Sequence, residues 1–159
     1  MSEEKTTEKS ETDILLDKIE MFHFDQKVAI LRALIEKFGI EVLDIVDSVR
    51  AKRVERGWQG IRSKCKDGSI KTLIETLWNP KRFDFTIEKT DDGKTKMCVT
   101  RCYFADLAKK LDATDIGYHI WCVDDPYIVK GFNPEMKFNR TKTLMQGYNC
   151  CNHCYWFEQ

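Results

Sequence analysis

The hydrophobic period of this chain first changes near residue 80, and that change constrains its fold more than any other feature. Up to Trp78 the apolar residues recur every three or four positions, whereas over residues 83–88 they alternate with polar ones. Asn79-Pro80 stands between the two regimes, because proline cannot continue a helix and pushes the residue before it toward extended backbone. Ile14, Leu15, Ile19 and Phe22 form a first helical stripe, with Thr12 or Asp13 as N-cap. Val28, Leu31, Leu34, Ile35 and Phe38 form a second, running from an Asp25 cap to a Gly39 stop. A third starts near Ile40, continues through Leu43, Ile45, Val46 and Val49, and turns polar over residues 50–56. Gly57 and Gly60 loosen it around Trp58. Residues 69–78 predict one more helix, with Ile70, Leu73, Ile74 and Leu77 on its inner face.

Phe83, Phe85 and Ile87 alternate with Asp84, Thr86 and Glu88, the pattern of a half-buried strand. Asp91-Asp92-Gly93 supplies turn chemistry, and residues 96–102 return as the second strand of a hairpin. Helices are expected over 103–111 and 115–129, the latter kinked or broken at Pro126. After the turn at Gly131-Phe132-Asn133-Pro134, residues 136–145 and 151–157 read as two closing strands. Helices first, then strands interleaved with helices, predict an α+β fold: an N-terminal helical layer packed on a small antiparallel sheet. Residues 1–12 are polar after Met1 and are expected to be a disordered tail. Residues 13–159 are expected to form one domain, helical over 13–68 and sheet-containing over 69–159.

Twenty-six basic and 26 acidic side chains balance, which removes the electrostatic footprint of a general nucleic-acid binder. No stretch approaches the ~18 apolar residues that span a bilayer, and the polar start lacks a secretory signal, so a cytoplasmic setting is expected. The N-terminal helices offer a surface for a homodimer. In a reducing compartment the seven cysteines do not read as a disulfide framework, and their odd number prevents complete pairing. Buried packing, metal ligation and thiol chemistry remain.

Six of the seven lie in the last 62 residues: Cys98, Cys102, Cys122, Cys150, Cys151 and Cys154; Cys65 stands apart. Cys102 ends a strand and opens a helix, where the helix N-terminus is expected to lower its pKa. Alternation along the last strand puts Cys151, His153 and Tyr155 on one face and Cys150, Asn152, Cys154 and Trp156 on the other. Cys98 with Cys102, and Cys151 with Cys154, have tolerable zinc-ligand spacing, although the strand separates the second pair.

Three blocks carry a resemblance. Val99-Thr100-Arg101-Cys102 followed by Tyr103-Phe104-Ala105-Asp106-Leu107 is the first. Asp115-Ile116-Gly117-Tyr118, leading through Cys122-Val123-Asp124-Asp125 to Gly131-Phe132-Asn133-Pro134, is the second. Arg140-Thr141-Lys142-Thr143-Leu144-Met145-Gln146-Gly147, with Cys151-Asn152 and Tyr155 after it, is the third. In order and spacing they resemble the L-2-amino-thiazoline-4-carboxylic acid hydrolase family over roughly residues 70–158. The resemblance implies hydrolytic opening of a cyclic thiazoline carboxylate to N-carbamoyl-L-cysteine. His153 and Cys154 stand where such proteins commonly carry Phe and Arg.

Opening such a ring needs a nucleophile, a proton acceptor and a cation for the carboxylate. Cys102 or Cys151 is expected to attack as thiolate, and Asp125 to serve as general base. Arg140 or Arg101 is expected to hold the substrate carboxylate, with Cys122 and Asn152 lining the site. His119 and His153 are further candidate bases, although a histidine in an apolar run is more often simply packed. No cofactor is expected. The alternative is a non-catalytic domain whose cysteine-lined pocket binds a small molecule, zinc or haem, the zinc ligands then being Cys98, Cys102, Cys151 and Cys154.

Overall fold

A computed structural model describes residues 10–158. The expected tail therefore lies largely outside the described residues, and its last three members already belong to a helix start. Ser10, rather than Thr12 or Asp13, caps α1 (Glu11–Phe38), its hydroxyl oxygen accepting from the Asp13 N–H at 3.1 Å. The two expected N-terminal helices are this one helix. Asp25 sits exposed in its middle, because no proline or glycine interrupts the run and a carboxylate facing water costs a helix little. Gly39 ends it at φ +92°, a left-handed value that favours glycine.

After that stop comes α2 (Val42–Arg62), which runs straight through Gly57 and Gly60. Next is α3 (Ile70–Leu77), capped by Ser69, whose Oγ accepts from the Thr72 N–H at 3.2 Å. The hairpin β1 (Phe83–Lys89) and β2 (Thr95–Cys102) follows as predicted. Two short helices succeed it, α4 (Tyr103–Lys110) and α5 (Thr114–Trp121). The helix expected over 115–129 is broken: α5 gives way to a 3-10 turn at Cys122–Asp124, and α6 (Asp125–Phe132) restarts with Pro126 in its first turn. Proline fits there because its missing N–H would have had no partner in that turn.

The chain closes with β3 (Met136–Arg140) and β4 (Cys151–Phe157). The strand expected to reach Met145 stops at Arg140. Thr143 caps a 3-10 turn at Leu144–Gln146, and Gly147 at φ +88° reverses the chain toward β4. The sheet has the order β1-β2-β4-β3 with every pairing antiparallel, so the fold is α+β as expected. One face of it is buried, through Phe83, Met97, Val99, Met136, Cys151, His153 and Tyr155. The other carries the polar residues of the alternation and stays open.

The core joins the sheet face to the helices, from Phe24 on α1 through Leu73 and Ile116 to Phe132 on α6. Helices α2 and α6 approach each other closely at Gly131. A Cβ added at Gly131 would stand 2.3 Å from the Glu55 carbonyl oxygen. Among the described residues no helix is long and apolar enough to cross a membrane.

Gly131→Ala is expected to lower stability by about 1–3 kcal/mol, because α2 backbone rather than a flexible side chain must move. Urea unfolding of the variant beside the parent measures it.

Candidate functional site

Three segment junctions converge under the buried face of the sheet. Cys102 is the last residue of β2 and the N-cap of α4. Cys122 opens the 3-10 turn, and Asp125 is the first residue of α6. Arg140 ends β3, and Cys151 begins β4. The antiparallel register sets Arg140 opposite His153, which brings the guanidinium beside the inner face of β4. There Arg140 Nη1 donates to Asp125 Oδ2, and His153 Nε2 lies 3.1 Å from the same oxygen. The side chains of Arg140, Asp125 and His153 are only 8%, 16% and 2% exposed, so this is an interior ion pair with a histidine attached.

An ionised carboxylate can only accept, so the proton of a neutral His153 belongs on Nε2. Nδ1 is then a bare acceptor; it is buried and makes no hydrogen bond among the described residues. Trp78 packs edge-on to the imidazole at 4.9 Å, and Tyr155 lies nearly parallel to it at 6.2 Å. Arg140 also lies 5.9 Å from the centre of the Tyr118 ring. The neighbouring Asp124 is held separately: Arg50 of α2 reaches it through Nε at 3.1 Å and through Nη2.

The thiols of Cys102, Cys122 and Cys151 each feel the charge of Asp125, and Cys122 and Cys151 also feel Arg140. The five expected groups therefore share one neighbourhood. The expectation of an acidic Cys102 is overturned. Burial raises its pKa, and this outweighs the N–H groups of Ala105 and Phe104, which pull it down. Burial likewise pushes Cys122 far up, with Asp125 adding to the effect and Arg140 opposing it. Cys151 rises to about 11, again through burial, although the Leu144 N–H donates to its Sγ at 3.2 Å. A helix N-terminus is worth ~0.3–1 kcal/mol, while burying a charge shifts a pKa by as much as several units. At neutral pH all three groups are thiols.

Other expected residues lie elsewhere. Arg101 is on the hairpin, forming a two-pronged ion pair with Asp84 at 2.8 and 2.9 Å. The bulge between Asp84 and Phe85 brings those two residues opposite each other. Asn152 points to the open face, where Oδ1 accepts from the Thr141 and Lys142 N–H groups at 3.0 and 2.6 Å, so it pins the β3–β4 connection. His119 pairs with Asp47 of α2 at 2.9 Å. The alternative zinc set is split by the pleat: Cys98 and Cys154 take the open face, and Cys102 and Cys151 the buried side. Among the described residues no three His, Cys, Asp or Glu side chains are grouped to hold a metal.

His153 was readable only as one of two candidate bases. Its position on the same strand face as Cys151 was the signal for it; its contact with Asp125 required the β3–β4 register. Tyr118 and Trp78 left no such signal. An open cleft of about 670 Å³ lies next door and is lined by residues that include Leu43, Asp44, Lys109, Tyr118, His119 and Met145. It shares Tyr118 with the surroundings of Arg140, but none of the three thiols lines it.

The family model described as L-2-amino-thiazoline-4-carboxylic acid hydrolase matches residues 18–155, which include every member of this cluster. Among curated proteins nothing matches. Among solved structures, the chain is similar to a trafficking protein particle complex subunit 3 from Naegleria fowleri, covalently bound to palmitic acid. The TM-score is 0.53 at 10% identity, covering 89% of this chain and 97% of that one. At that identity the likeness is one of fold alone.

Removing Asp125 leaves a buried guanidinium without its counter-charge. Asp125→Ala is expected to cost about 3–5 kcal/mol, and adding Arg140→Met to recover part of it, as read by urea unfolding. The raised Cys151 pKa has a definite sign. An unfolded thiol ionises near 9.0 and the folded one near about 11, so the folded state holds the proton more tightly. That contribution is complete below the unfolded value and is lost as pH rises through the folded one. The stability difference between the parent and Cys151→Ala should therefore shift against the parent as pH climbs through that window.

Proposed function

The chain belongs to the L-2-amino-thiazoline-4-carboxylic acid hydrolase family, and from that premise we propose that it opens a small cyclic thiazoline or related carboxylate by hydrolysis. The observation that carries this reading is the convergence of Cys102, Cys122 and Cys151 on the Asp125–Arg140–His153 group. In the proposed reaction a thiol, Cys102 or Cys151, passes its proton to the Asp125–His153 pair and attacks the amidine carbon of the ring. The ring carbon–sulfur bond breaks, and the departing sulfur takes up that proton. Water then adds to the same carbon, and the cysteine sulfur leaves with a proton, which gives the carbamoyl product and restores the thiol. Backbone N–H groups at Cys102 and Cys151 favour the transient thiolate. Arg140 is the proposed partner of the substrate carboxylate, sharing its charge between that group and Asp125. A reducing cytoplasm is the proposed setting, supported by seven free thiols.

A second reading is favoured by the raised thiol pKa values and by the existing partner of Arg140: a binding domain without turnover. The similar trafficking subunit is described as covalently bound to palmitic acid. For this chain the corresponding proposal is a cysteine that holds a ligand, such as an acyl group taken from an activated acyl thioester donor, whose own sulfur leaves with the cysteine's proton.

Ring opening, followed by release of free thiol from a panel of thiazoline and related cyclic carboxylates, tests the first reading. Turnover is expected to fall by at least about a hundredfold in Cys102→Ala/Cys151→Ala. Parent activity no greater than that of the double variant rejects hydrolysis. An added acyl mass on the parent, absent from the double variant, then assigns the second reading.

A further inference from the structure

A second histidine is fixed by a carboxylate in this fold, and it lies on the cleft beside the thiols rather than in the interior. His119 of α5 has its Nδ1 within 2.9 Å of both carboxylate oxygens of Asp47 on α2. The carboxylate can only accept, so the proton of the neutral ring belongs on Nδ1 and Nε2 is left as an acceptor. Nε2 makes no hydrogen bond among the described residues. Nor is it one of their buried, unpartnered side-chain atoms, which are Trp78 Nε1 and His153 Nδ1. The His119 side chain is 25% exposed, so Nε2 meets solvent, and the residue lines the 670 Å³ cleft.

The charged groups of that cleft are of two kinds. Asp115 is committed, since Arg32 holds it through hydrogen bonds of 2.5 and 2.8 Å. Lys109, Glu41 and Asp44 line the cleft with no ion pair or side-chain hydrogen bond among the described residues. Lys109 thus supplies an uncommitted cation and His119 an uncommitted acceptor, beside the buried side chains of Leu43, Leu144 and Met145. The cleft also backs onto the thiol site. Leu144 lines it and gives its backbone N–H to Cys151 Sγ at 3.2 Å. Tyr118 lines it too, and its ring centre lies 5.9 Å from the Arg140 guanidinium. One layer of residues therefore stands between the two.

We propose that this cleft is a recognition site for a small cyclic amidine carboxylate, its carboxylate on Lys109 and an amidine N–H donated to His119 Nε2. The choice of ligand rests on the hydrolase reading above; the pairing of acceptor and cation rests on the cleft itself. Asp47 is a positioning residue, because it fixes the tautomer and so makes His119 accept rather than donate. Glu41 and Asp44 add to the pull on the N–H end of the ligand. The volume is that of an ordinary small-molecule site. A ligand held here stands one residue layer from Cys151, so the cleft selects what reaches the thiols.

Calorimetric titration of Cys102→Ala/Cys151→Ala, in which turnover is suppressed, tests it at about pH 8, where an ordinary imidazole is neutral. The probes are 2-amino-thiazoline-4-carboxylate, 2-amino-thiazoline without the carboxylate, and 2-methyl-thiazoline-4-carboxylate without the amino group. Adding Lys109→Met is expected to weaken the first probe by at least about fivefold and the second by less than about twofold. Asp47→Asn keeps a hydrogen bond to Nδ1 but donates it, which moves the ring proton to Nε2. It should weaken the first probe by at least about fivefold and leave the third unchanged. A merely structural Asp47–His119 contact would move the probes alike or not at all. Such uniform behaviour overturns the proposal, as does no binding of the first probe up to about 10 mM. Turnover by the parent without these selective losses rejects the cleft and leaves hydrolysis standing. Selective binding without turnover by the parent rejects hydrolysis and leaves the cleft standing.

Discussion

The Arg140–Asp125 ion pair decides where the other groups of the interior stand. It ties the first residue of α6 to the last residue of β3, and through His153 it reaches the inner face of β4. Burying two charges is costly, and a pair of this kind often contributes little net stability. Its effect lies in position: neither charge tolerates separation in so dry a place, so the turn before α6 and the end of β3 are held together. Cys122 precedes that turn and Cys151 follows the loop after that strand. The pair thus brings two thiols into one neighbourhood, with Cys102 at the third corner.

The same dryness governs the thiols. A cysteine at the start of a helix is ordinarily a candidate nucleophile, because N–H groups and the helix dipole favour its anion. Cys102 has those groups, but it is also partly buried near a carboxylate, and these effects prevail. Catalysis at such a site requires that deprotonation be coupled to substrate arrival and to the Asp125–His153 pair. A ligand-holding role requires no such coupling. The Nδ1 of His153, buried beside Trp78, makes no hydrogen bond among the described residues.

Away from this interior, α1 stands as a long helix with two seams of equal spacing. One is committed to the body, through Phe24 against Trp121 and Leu31 in the core. The other faces outward, on the side of the molecule that does not contribute to the cysteine cluster.

Local period and punctuation were enough to identify most elements. Asn79-Pro80, Asp91-Asp92-Gly93 and Gly39 act through the backbone of their own neighbourhood, and those boundaries were legible for that reason. Continuity was less legible. Asp25 resembled a cap, yet it lies mid-helix, since a cap differs from an exposed helical carboxylate only in whether the preceding turn continues. The alternation of Cys151, His153 and Tyr155 on one face was also readable, because it depends on the pleat alone. What the sequence by itself determined, then, is the α+β order of elements, the face of β4 that is buried, and the family-like blocks that hold the cysteines. Only the tertiary structure decided that Arg140 meets Asp125 and His153, that Arg101 pairs with Asp84, and that Asn152 anchors a loop. Those outcomes depend on strand register and a bulge, which couple distant residues. It also decided that the thiols are neutral, because desolvation depends on everything packed around a group and not on the residues beside it in the chain.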